Sequence, residues 1–230
     1  MLLATALVPL TALAGGYLAG SIPFAYIIVK LTNGEDITAH GTGNVGSMNV
    51  RRTTGSWGLF VVALLADGLK GLLPVLAVKV LSGLPIVTPY GVAVAQRGML
   101  VALAVPATVL GVVLGHNYSL WMAIVEKRFF RTGKGLATGA GALLAYDWRY
   151  LIAVVVVGLL VIAVTRYMMA GQVAAAFTLP VAALALRSPD WPFALFMGAL
   201  VYAAHHKRFV GLLKGREPRL YVNDRMGPRG

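Results

Sequence analysis

The sequence predicts an all-α protein that crosses a membrane several times. Of its 230 residues, 58% are hydrophobic and only 12% are charged, and the mean hydropathy is +0.78. A soluble domain carries roughly a quarter of its residues as charged ones, whereas the charges here form short clusters between apolar runs near the roughly 20 residues that span a bilayer. We therefore expect one integral membrane domain over residues 1–230, with about seven transmembrane helices.

Seven apolar runs define the expected helices. The first run, from Leu2 to Leu31, has no positively charged start and continues past any small-residue cleavage site, so it is expected to be an uncleaved span. Two runs with the length needed to cross a bilayer follow it. After them come a short glycine-rich run, a Val/Leu-rich span, a second short run and a last span. These six are 57–84, 99–125, 135–146 (short), 150–169, 171–186 (short) and 191–206.

The positive charges predict the orientation in the membrane, because Lys and Arg beside spans are retained in the cytoplasm. With seven spans, one side keeps only Lys79, Arg97, Arg149 and Arg187, while most of the others fall on the opposite side. The N-terminus is thus expected outside and the C-terminus in the cytoplasm. The expected cytoplasmic set is Lys30, Arg51, Arg52, Lys127, Arg128, Arg131, Lys134, Arg166, Lys207, Arg208, Lys214, Arg216, Arg219, Arg225 and Arg229.

The composition also excludes several kinds of chemistry. The chain has no Cys, which removes disulfides, zinc–thiolate sites, iron–sulfur clusters and thiol nucleophiles. We expect neither a metal nor a cofactor. The net charge of +12 is explained by cytoplasmic loops beside anionic membrane lipids, so a nucleic-acid partner is not expected.

The loop after the first span is dense in Gly, Asn and hydroxyl side chains. It runs from His40 to Arg52 and reads HGTGNVGSMNVRR. Glycines let the backbone approach phosphate oxygens, and a helix that begins near Ser47 would add its positive N-terminal end. The pattern therefore indicates an anion-binding loop, with an ordinary turn between two helices as the alternative.

A second loop places Lys134 between Gly133 and Gly135 at the start of a short helix. It lacks the spacing and the preceding strand of a nucleotide-binding phosphate loop. An ammonium beside backbone N–H groups at a helix N-terminus can still contact an anion. Retention of positive charge in the cytoplasm explains Lys127 and Arg128, but it does not explain a lysine between two glycines.

Three further polar groups lie within or at the end of apolar spans. Asp67 and Lys70 share a helical face, and because charges at membrane depth are costly, a structural ion pair is favoured somewhat over a catalytic role. For His116 and Asn117, a helix-stabilising hydrogen bond is the preferred interpretation. The last span ends with His205-His206-Lys207-Arg208. The alternative to a binding site is that these side chains extend to the membrane surface and serve only to fix the topology.

Taken together, these segments resemble the bacterial acyl-phosphate:glycerol-3-phosphate acyltransferase family. The resemblance covers nearly the whole chain and implies transfer of a fatty acyl group from acyl phosphate to the 1-hydroxyl of sn-glycerol 3-phosphate. The products would be lysophosphatidic acid and phosphate, made at the bacterial inner membrane with the active site facing the cytoplasm. In chain order, the motifs that carry it are Gly41-Thr42-Gly43-Asn44 with Asn49 and Arg52, Asp67 with Lys70-Gly71, Gly115-His116-Asn117, Thr132-Gly133-Lys134-Gly135, and His205 with Leu212-Leu213-Lys214-Gly215 and Glu217.

The resemblance also implies which residues form the site. The glycine loop would hold the acyl phosphate, and Lys134, Arg52 and His205 would hold the glycerol phosphate. A substrate phosphate would take the hydroxyl proton. The implied catalytic residues are Thr42, Arg52, Lys134 and His205, and the implied substrate-binding residues are Gly41, Gly43, Asn44, Gly46, Ser47, Asn49, Gly133, Gly135 and Arg208.

The chain departs from the family pattern at five positions. Thr42 stands where Ser is usual, and Ser47-Met48 replaces Ala-Thr. Thr132 replaces a Gly, and Arg208 falls where an Asn is expected. An inactive relative is therefore one alternative interpretation of the chain.

The other alternative is a transporter or channel for an anionic solute, which would also require positive loops and short helices. Its signature would be charges near the bilayer centre in paired halves, whereas the unusual polar residues here gather toward one membrane face. No His in the chain is followed five residues later by Asp. The sequence therefore lacks the His-x-x-x-x-Asp signature of the other large class of glycerolipid acyltransferases.

Overall fold

The structure is a computed structural model that describes residues 2–84 and 99–217. Within these ranges every regular element is a helix, so the all-α prediction is confirmed. The described residues form two compact units, one containing residues 2–84 and 99–146 and the other residues 147–217. The prediction of a single domain over residues 1–230 stays a prediction. Four charges used in the topology argument lie outside the described residues: Arg97, Arg219, Arg225 and Arg229.

The first unit has seven of the described α-helices and one short 3₁₀-helix, Ile37–Ala39. The 3₁₀-helix begins where the Asp36 carboxylate accepts the Thr38 N–H at 2.8 Å. The seven helices are α1 (Leu2–Gly20), α2 (Phe24–Asn33), α3 (Ser47–Thr54), α4 (Trp57–Leu81), α5 (Met99–Asn117), α6 (Leu120–Val125) and α7 (Leu136–Tyr146).

The first predicted span is two helices, because the chain breaks between Gly20 and Phe24. Pro23 has no N–H to continue a helix across this point. The break is held by groups of the α5–α6 turn: the Ser119 hydroxyl donates to the Ser21 carbonyl. The Leu120 N–H also donates to the Ser21 hydroxyl at 3.4 Å. Hydrogen bonds to another part of the unit therefore satisfy the groups that the break exposes.

Glycines allow the helices of the first unit to approach closely. A Cβ on Gly71 of α4 would overlap the Thr138 carbonyl of α7, and a Cβ on Gly141 of α7 would overlap the Gly68 carbonyl of α4. The α1 and α5 helices meet in the same way, at Gly20 and Gly115. Small residues are common at helix contacts in membranes, where the hydrophobic effect does not drive helices together and close packing contributes instead.

The second unit consists of three helices: α8 (Trp148–Thr165), α9 (Met168–Ala185) and α10 (Trp191–Leu213). The prediction of a short helix over 171–186 is wrong, since α9 has 18 residues and begins at Met168. Arg166 has a left-handed φ of +60° and ends α8. The extended Tyr167 follows it, so the residues after this break join α9 rather than the preceding helix.

The described residues contain five helical stretches that are long and apolar enough to cross a membrane. The predicted short span at 135–146 is observed as α7, with 11 residues. The α10 helix is 23 residues long, but its C-terminal half carries His205, His206, Lys207 and Arg208 and is correspondingly polar. The five stretches are Leu7–Asn33, Trp57–Leu81, Leu103–Val125, Trp148–Thr165 and Met168–Ala185.

Candidate active site

Two of the predicted loops meet in the first unit. We call residues 40–47 the glycine loop and residues 131–135 the lysine loop. The N–H of Val45 donates to the carbonyl of Thr132 at 2.7 Å. The structure therefore joins the Gly- and Asn-rich segment to the segment that carries Lys134, although these loops are far apart in the sequence.

Asn49 shapes the glycine loop from inside. Its side chain is buried, with 2% of the residue exposed. Its amide nitrogen donates to the carbonyls of Ile37 at 3.0 Å and His40 at 3.1 Å, and its amide oxygen accepts the Thr42 N–H at 3.1 Å. Gly41 has a φ of +53°, and a Cβ there would overlap the same amide oxygen. Asn49 thus holds the loop in its turn through both ends of its amide.

The glycine loop leads into α3, which begins at Ser47 with Gly46 as its N-cap. The first N–H groups of an α-helix have no acceptor within the helix and face an anion favourably. The loop turns a second time at Gly43, where φ is +67°. The predicted ligands Thr42, Asn44 and Ser47 are all at least partly exposed to solvent in this turn and helix start.

The two arginines of α3 differ in environment. Arg51 is buried, and its guanidinium carbon lies 4.3 Å from the centre of the Trp57 ring, which is a cation–π contact. Arg52 is half-buried, and its Cβ would lie 3.5 Å from a Cβ on Gly41. Arg52, which the family resemblance implies to be catalytic, is therefore beside the glycine loop.

Thr132 fixes the start of the lysine loop to the end of α5. Its N–H donates to the Asn117 carbonyl at 2.8 Å, and its hydroxyl donates to the His116 carbonyl at 2.7 Å. The same hydroxyl accepts the Ser119 N–H at 3.2 Å. Thr132 stands where the family pattern has Gly, so this chain gains a side-chain attachment at that position.

Lys134 is half-buried and lies between Gly133 and Gly135, both of which are buried. The preceding Arg131 donates from Nε to the Gly133 carbonyl at 3.1 Å, and partial burial lowers the pKa of its guanidinium. Two basic side chains, those of Arg131 and Lys134, are thus part of one short loop whose two glycines are buried. Such a loop favours binding of an anion.

A buried polar network lies beneath the lysine loop. The expected ion pair is present, with Lys70 Nζ 2.8 Å from an oxygen of Asp67, and the ammonium also donates to the Ile22 carbonyl at 2.7 Å. The same Asp67 oxygen lies 3.8 Å from Nδ1 of His116, which is 3.1 Å from the Thr138 hydroxyl. Thr138 ends the motif that begins at Thr132 and carries the family resemblance, but the sequence assigned it no role.

Lys79, near the end of α4, is a buried lysine. The topology argument assigns it to the external side, and its residue is only 1% exposed. Its ammonium donates to the Ala145 carbonyl at 2.7 Å, near the end of α7. The side chain therefore caps α7 by binding a carbonyl that the helix end leaves without a partner.

In the second unit, His205 and Arg208 lie on α10. His205 is 3% exposed, and its Nδ1 lies 2.7 Å from the Val201 carbonyl of the same helix. Arg208 makes a two-pronged ion pair with Glu217, in which Nε donates to one carboxylate oxygen at 3.0 Å and a terminal nitrogen donates to the other. The guanidinium of Arg208, an implied substrate-binding residue, therefore holds a carboxylate in this structure.

Across the described ranges, no group of three or more His, Asp or Glu side chains is arranged to hold a metal ion. The two loops of the first unit offer Lys and Arg side chains, backbone N–H groups, and hydroxyl and amide side chains. This set can bind two anionic groups and stabilise negative charge.

The chain is similar to known proteins over most of its length. A family model described as glycerol-3-phosphate acyltransferase matches residues 10–215. A glycerol-3-phosphate acyltransferase of Synechococcus sp. (strain JA-3-3Ab) is 37% identical over 92% of this chain and 93% of its own. One from Thermus thermophilus is 35% identical over 89% of this chain and 91% of its own.

The fold is also similar to a solved structure. The crystal structure of PlsY (YgiH), an integral membrane glycerol 3-phosphate acyltransferase, matches in its glycerol 3-phosphate form with a TM-score of 0.74 and 28% identity. The match covers 93% of this chain and 96% of that one. The lysophosphatidic acid form of the same protein matches with a TM-score of 0.72.

Proposed function

Because the chain belongs to the glycerol-3-phosphate acyltransferase family, we propose that its acyl donor is acyl phosphate and that the acyl group goes to the 1-hydroxyl of sn-glycerol 3-phosphate. The chain is a glycerol-3-phosphate acyltransferase of phospholipid synthesis. The observation that most supports the proposed donor is the junction of the glycine loop with the lysine loop through Val45 and Thr132. It brings two anion-binding segments together, as two phosphate-bearing substrates require.

The reaction needs little acid–base chemistry from the protein. The glycerol oxygen attacks the acyl carbon, the bond from that carbon to the phosphate oxygen breaks, and the hydroxyl proton passes to a phosphate oxygen of a substrate. An acyl phosphate is a mixed anhydride with a good leaving group, so the enzyme has to hold both anions in line and stabilise the developing oxyanion. We assign the glycine loop to the acyl phosphate and Lys134 and Arg52 to the glycerol phosphate.

The residue inventory supports acyl phosphate over acyl-CoA. An enzyme that uses acyl-CoA with a weakly acidic alcohol gains from a histidine base paired with a carboxylate. Both histidines of the first unit lie near a carboxylate, with His116 Nδ1 3.8 Å from Asp67 and His40 Nε2 3.7 Å from Glu35. His116 is buried beneath the lysine loop, however, and the chain lacks the His-x-x-x-x-Asp signature of acyltransferases that activate their alcohol with a histidine. The role of His205 rests on the family resemblance.

The protein is an integral membrane protein with several apolar helices. We place it in the bacterial inner membrane with about seven spans, its N-terminus outside and its active site facing the cytoplasm. The distribution of Lys and Arg supports this orientation. The exposed apolar side chains of α4 and α8, such as Leu65, Leu73 and Leu159, fit contact with lipid, from which an acyl substrate could be drawn.

One assay tests the proposed function. Protein purified in detergent is incubated with palmitoyl phosphate and glycerol 3-phosphate, and the release of inorganic phosphate is followed. We expect release that depends on both substrates and turnover of palmitoyl-CoA at a rate at least about 100-fold lower, since the chain lacks the His-x-x-x-x-Asp signature of acyltransferases that activate their alcohol with a histidine. Comparable rates with the two donors would contradict the proposal, and no turnover of either would favour an inactive relative.

A further inference from the structure

The glycine that precedes Lys134 packs directly on an imidazole ring. The Nε2 and Cδ2 edge of His116 lies so close to Gly133 that a Cβ added to this glycine would overlap it. The His116 carbonyl oxygen would lie 2.9 Å from the same Cβ. The ring therefore limits how closely the chain before Lys134 approaches α5.

The opposite edge of the ring is held by other buried groups. Nδ1 of His116 lies 3.1 Å from the Thr138 hydroxyl and 3.8 Å from an oxygen of Asp67, which is paired with Lys70. All four side chains are buried. Since buried polar groups keep their partners, the ring cannot turn away from Gly133 without losing these contacts.

The glycine that follows Lys134 packs on the next residue of the same helix. Gly135 has a φ of +72°, and a Cβ there would lie 3.2 Å from the amide oxygen of Asn117. This oxygen is buried and has no hydrogen-bond partner within the described part of the chain. Asn117 thus supports Gly135 by packing, and it supports the start of the loop through its carbonyl, which accepts the Thr132 N–H.

We propose that His116 is a positioning residue for Lys134, and that His116 and Asn117 form a platform for the two glycines beside that lysine. Two flanking glycines alone would give Lys134 a wide choice of backbone conformations. The platform removes that choice, because the chain on each side of Lys134 rests on one residue of α5. The proposal depends on the proposed function, since the position of Lys134 matters only if the lysine contacts a substrate anion.

A double-mutant cycle tests the proposal. His116→Ala is made in the wild-type protein and in Lys134→Ala, and kcat for phosphate release from palmitoyl phosphate is measured for all four proteins. We expect His116→Ala alone to lower kcat about 10-fold or more, because small displacements of a catalytic group are costly. In the Lys134→Ala background it should change kcat less than about 2-fold, since no ammonium is left to position. Equal losses in both backgrounds would overturn the proposal.

A second variant separates the two edges of the ring. In His116→Asn the amide nitrogen can replace Nδ1 and keep the contact with Thr138, but the edge that supports Gly133 is absent. We expect kcat to fall as in His116→Ala. A wild-type kcat would overturn the proposal, because the network below the ring would then be sufficient. If His116→Ala does not fold, His116→Asn takes its place in the cycle.

Thr108→Val is the matched control on the same helix. Thr108 is buried, and its hydroxyl donates to the Ala104 carbonyl of α5 at 2.9 Å. This variant should keep the wild-type kcat, which excludes a general effect of changing a buried polar side chain of α5. Wild-type protein that releases no phosphate would overturn the proposed function together with this proposal, whereas an active wild type with an additive cycle would overturn this proposal alone.

Discussion

At the scale of single residues, Lys134 is notable because the loop that carries it is fixed on both sides of the lysine. It lies in a loop whose start is attached to α5 by Thr132 and whose two glycines pack on His116 and Asn117. An ammonium in such a place can hold an anion and stabilise charge that develops on it. A lysine needed only for membrane orientation would not require this setting.

Lys134→Ala should lower phosphate release about 100-fold or more, since one preorganised charge contact with a reacting anion is worth roughly 3 kcal/mol. The variant should insert and unfold at the wild-type temperature, because the attachment of the loop runs through Thr132. The measurement is kcat/KM for both substrates, together with thermal unfolding in detergent. Wild-type turnover would indicate a role in membrane orientation alone.

Asn49 should act on the loop rather than on chemistry. Asn49→Ala removes three hydrogen bonds from a buried amide and leaves two carbonyls and one N–H with fewer partners. At roughly 1 kcal/mol for each bond, the loss of stability should be about 3 kcal/mol. Thermal unfolding in detergent measures it. A normal unfolding temperature with a raised KM for acyl phosphate would instead make Asn49 a direct ligand.

The guanidinium of Arg208 contacts either the phosphate of glycerol 3-phosphate or only Glu217, and a substitution can distinguish the two. If its fork contacts the phosphate of glycerol 3-phosphate, Arg208→Ala should raise the KM for this substrate about 10-fold or more and leave kcat nearly unchanged, because an anchoring contact acts equally in ground and transition states. Glu217→Gln is the control, since it breaks the same ion pair and keeps the guanidinium. Equal effects of the two variants would show that only the ion pair matters.

The site residues were only partly predictable from the sequence. Gly133, Lys134 and Gly135 could be identified as candidates because retention of positive charge in the cytoplasm does not explain a lysine between two glycines. The hydrogen bonds of Asn49 to the backbone of its own loop could not be predicted, since an asparagine in a glycine-rich segment can bind either a ligand or the backbone. The attachment through Thr132 depends on contacts with α5, which no local pattern reveals.

At the scale of helices, the packing of α4 on α7 depends on glycines at the contact. Gly71 and Gly141 each face a carbonyl of the other helix with no room for a Cβ. The same face of this helix pair carries Asp67 and Lys70 toward His116. The close approach of the backbones therefore also sets the position of the polar network beneath the lysine loop.

Gly141→Ala tests this contact. Its Cβ would overlap the Gly68 carbonyl, so α4 and α7 must separate, at a cost of about 1–3 kcal/mol. Gly139→Ala is the matched control on α7, because a Cβ there meets nothing within 4 Å. The control should be neutral or stabilising by up to about 1 kcal/mol, since alanine favours a helix. Thermal unfolding in detergent compares the two, and equal stability would contradict the packing argument.

Helix ends were the least predictable elements. Pro23 marks the break between α1 and α2, yet Pro9, Pro74 and Pro180 lie within helices. Proline alone therefore does not locate a break in an apolar run. The break at Arg166 has no local signal either, because its left-handed conformation belongs to a residue type that seldom adopts it.

At the scale of the whole molecule, the sequence predicts the family and the all-helical class best. Both follow from patterns that extend over nearly the whole chain, so errors at single helix ends do not affect them. One charge of the topology argument, Lys79, is buried and binds the end of α7. The bias toward the proposed cytoplasmic side persists without Lys79.

Single cysteines test the proposed orientation, since the natural chain has none. Asn33→Cys and Pro189→Cys place thiols at exposed positions on the sides that we propose as cytoplasmic and external. In intact cells, an impermeant maleimide should label only the second variant, and both should react after permeabilisation. Labelling of Asn33→Cys in intact cells would reverse the orientation.

The hydrogen bond from Val45 to Thr132 joins the glycine loop and the lysine loop entirely through main-chain atoms. Substitution of a side chain at either position leaves both the N–H and the carbonyl in place, provided that the donor is not lost to proline. This contact between the two loops therefore requires no particular side chain at position 45 or 132, although the Thr132 hydroxyl separately attaches the lysine loop to α5. The departure from the family pattern at Thr132 thus leaves the main-chain bond between the two loops in place and adds a side-chain attachment beside it.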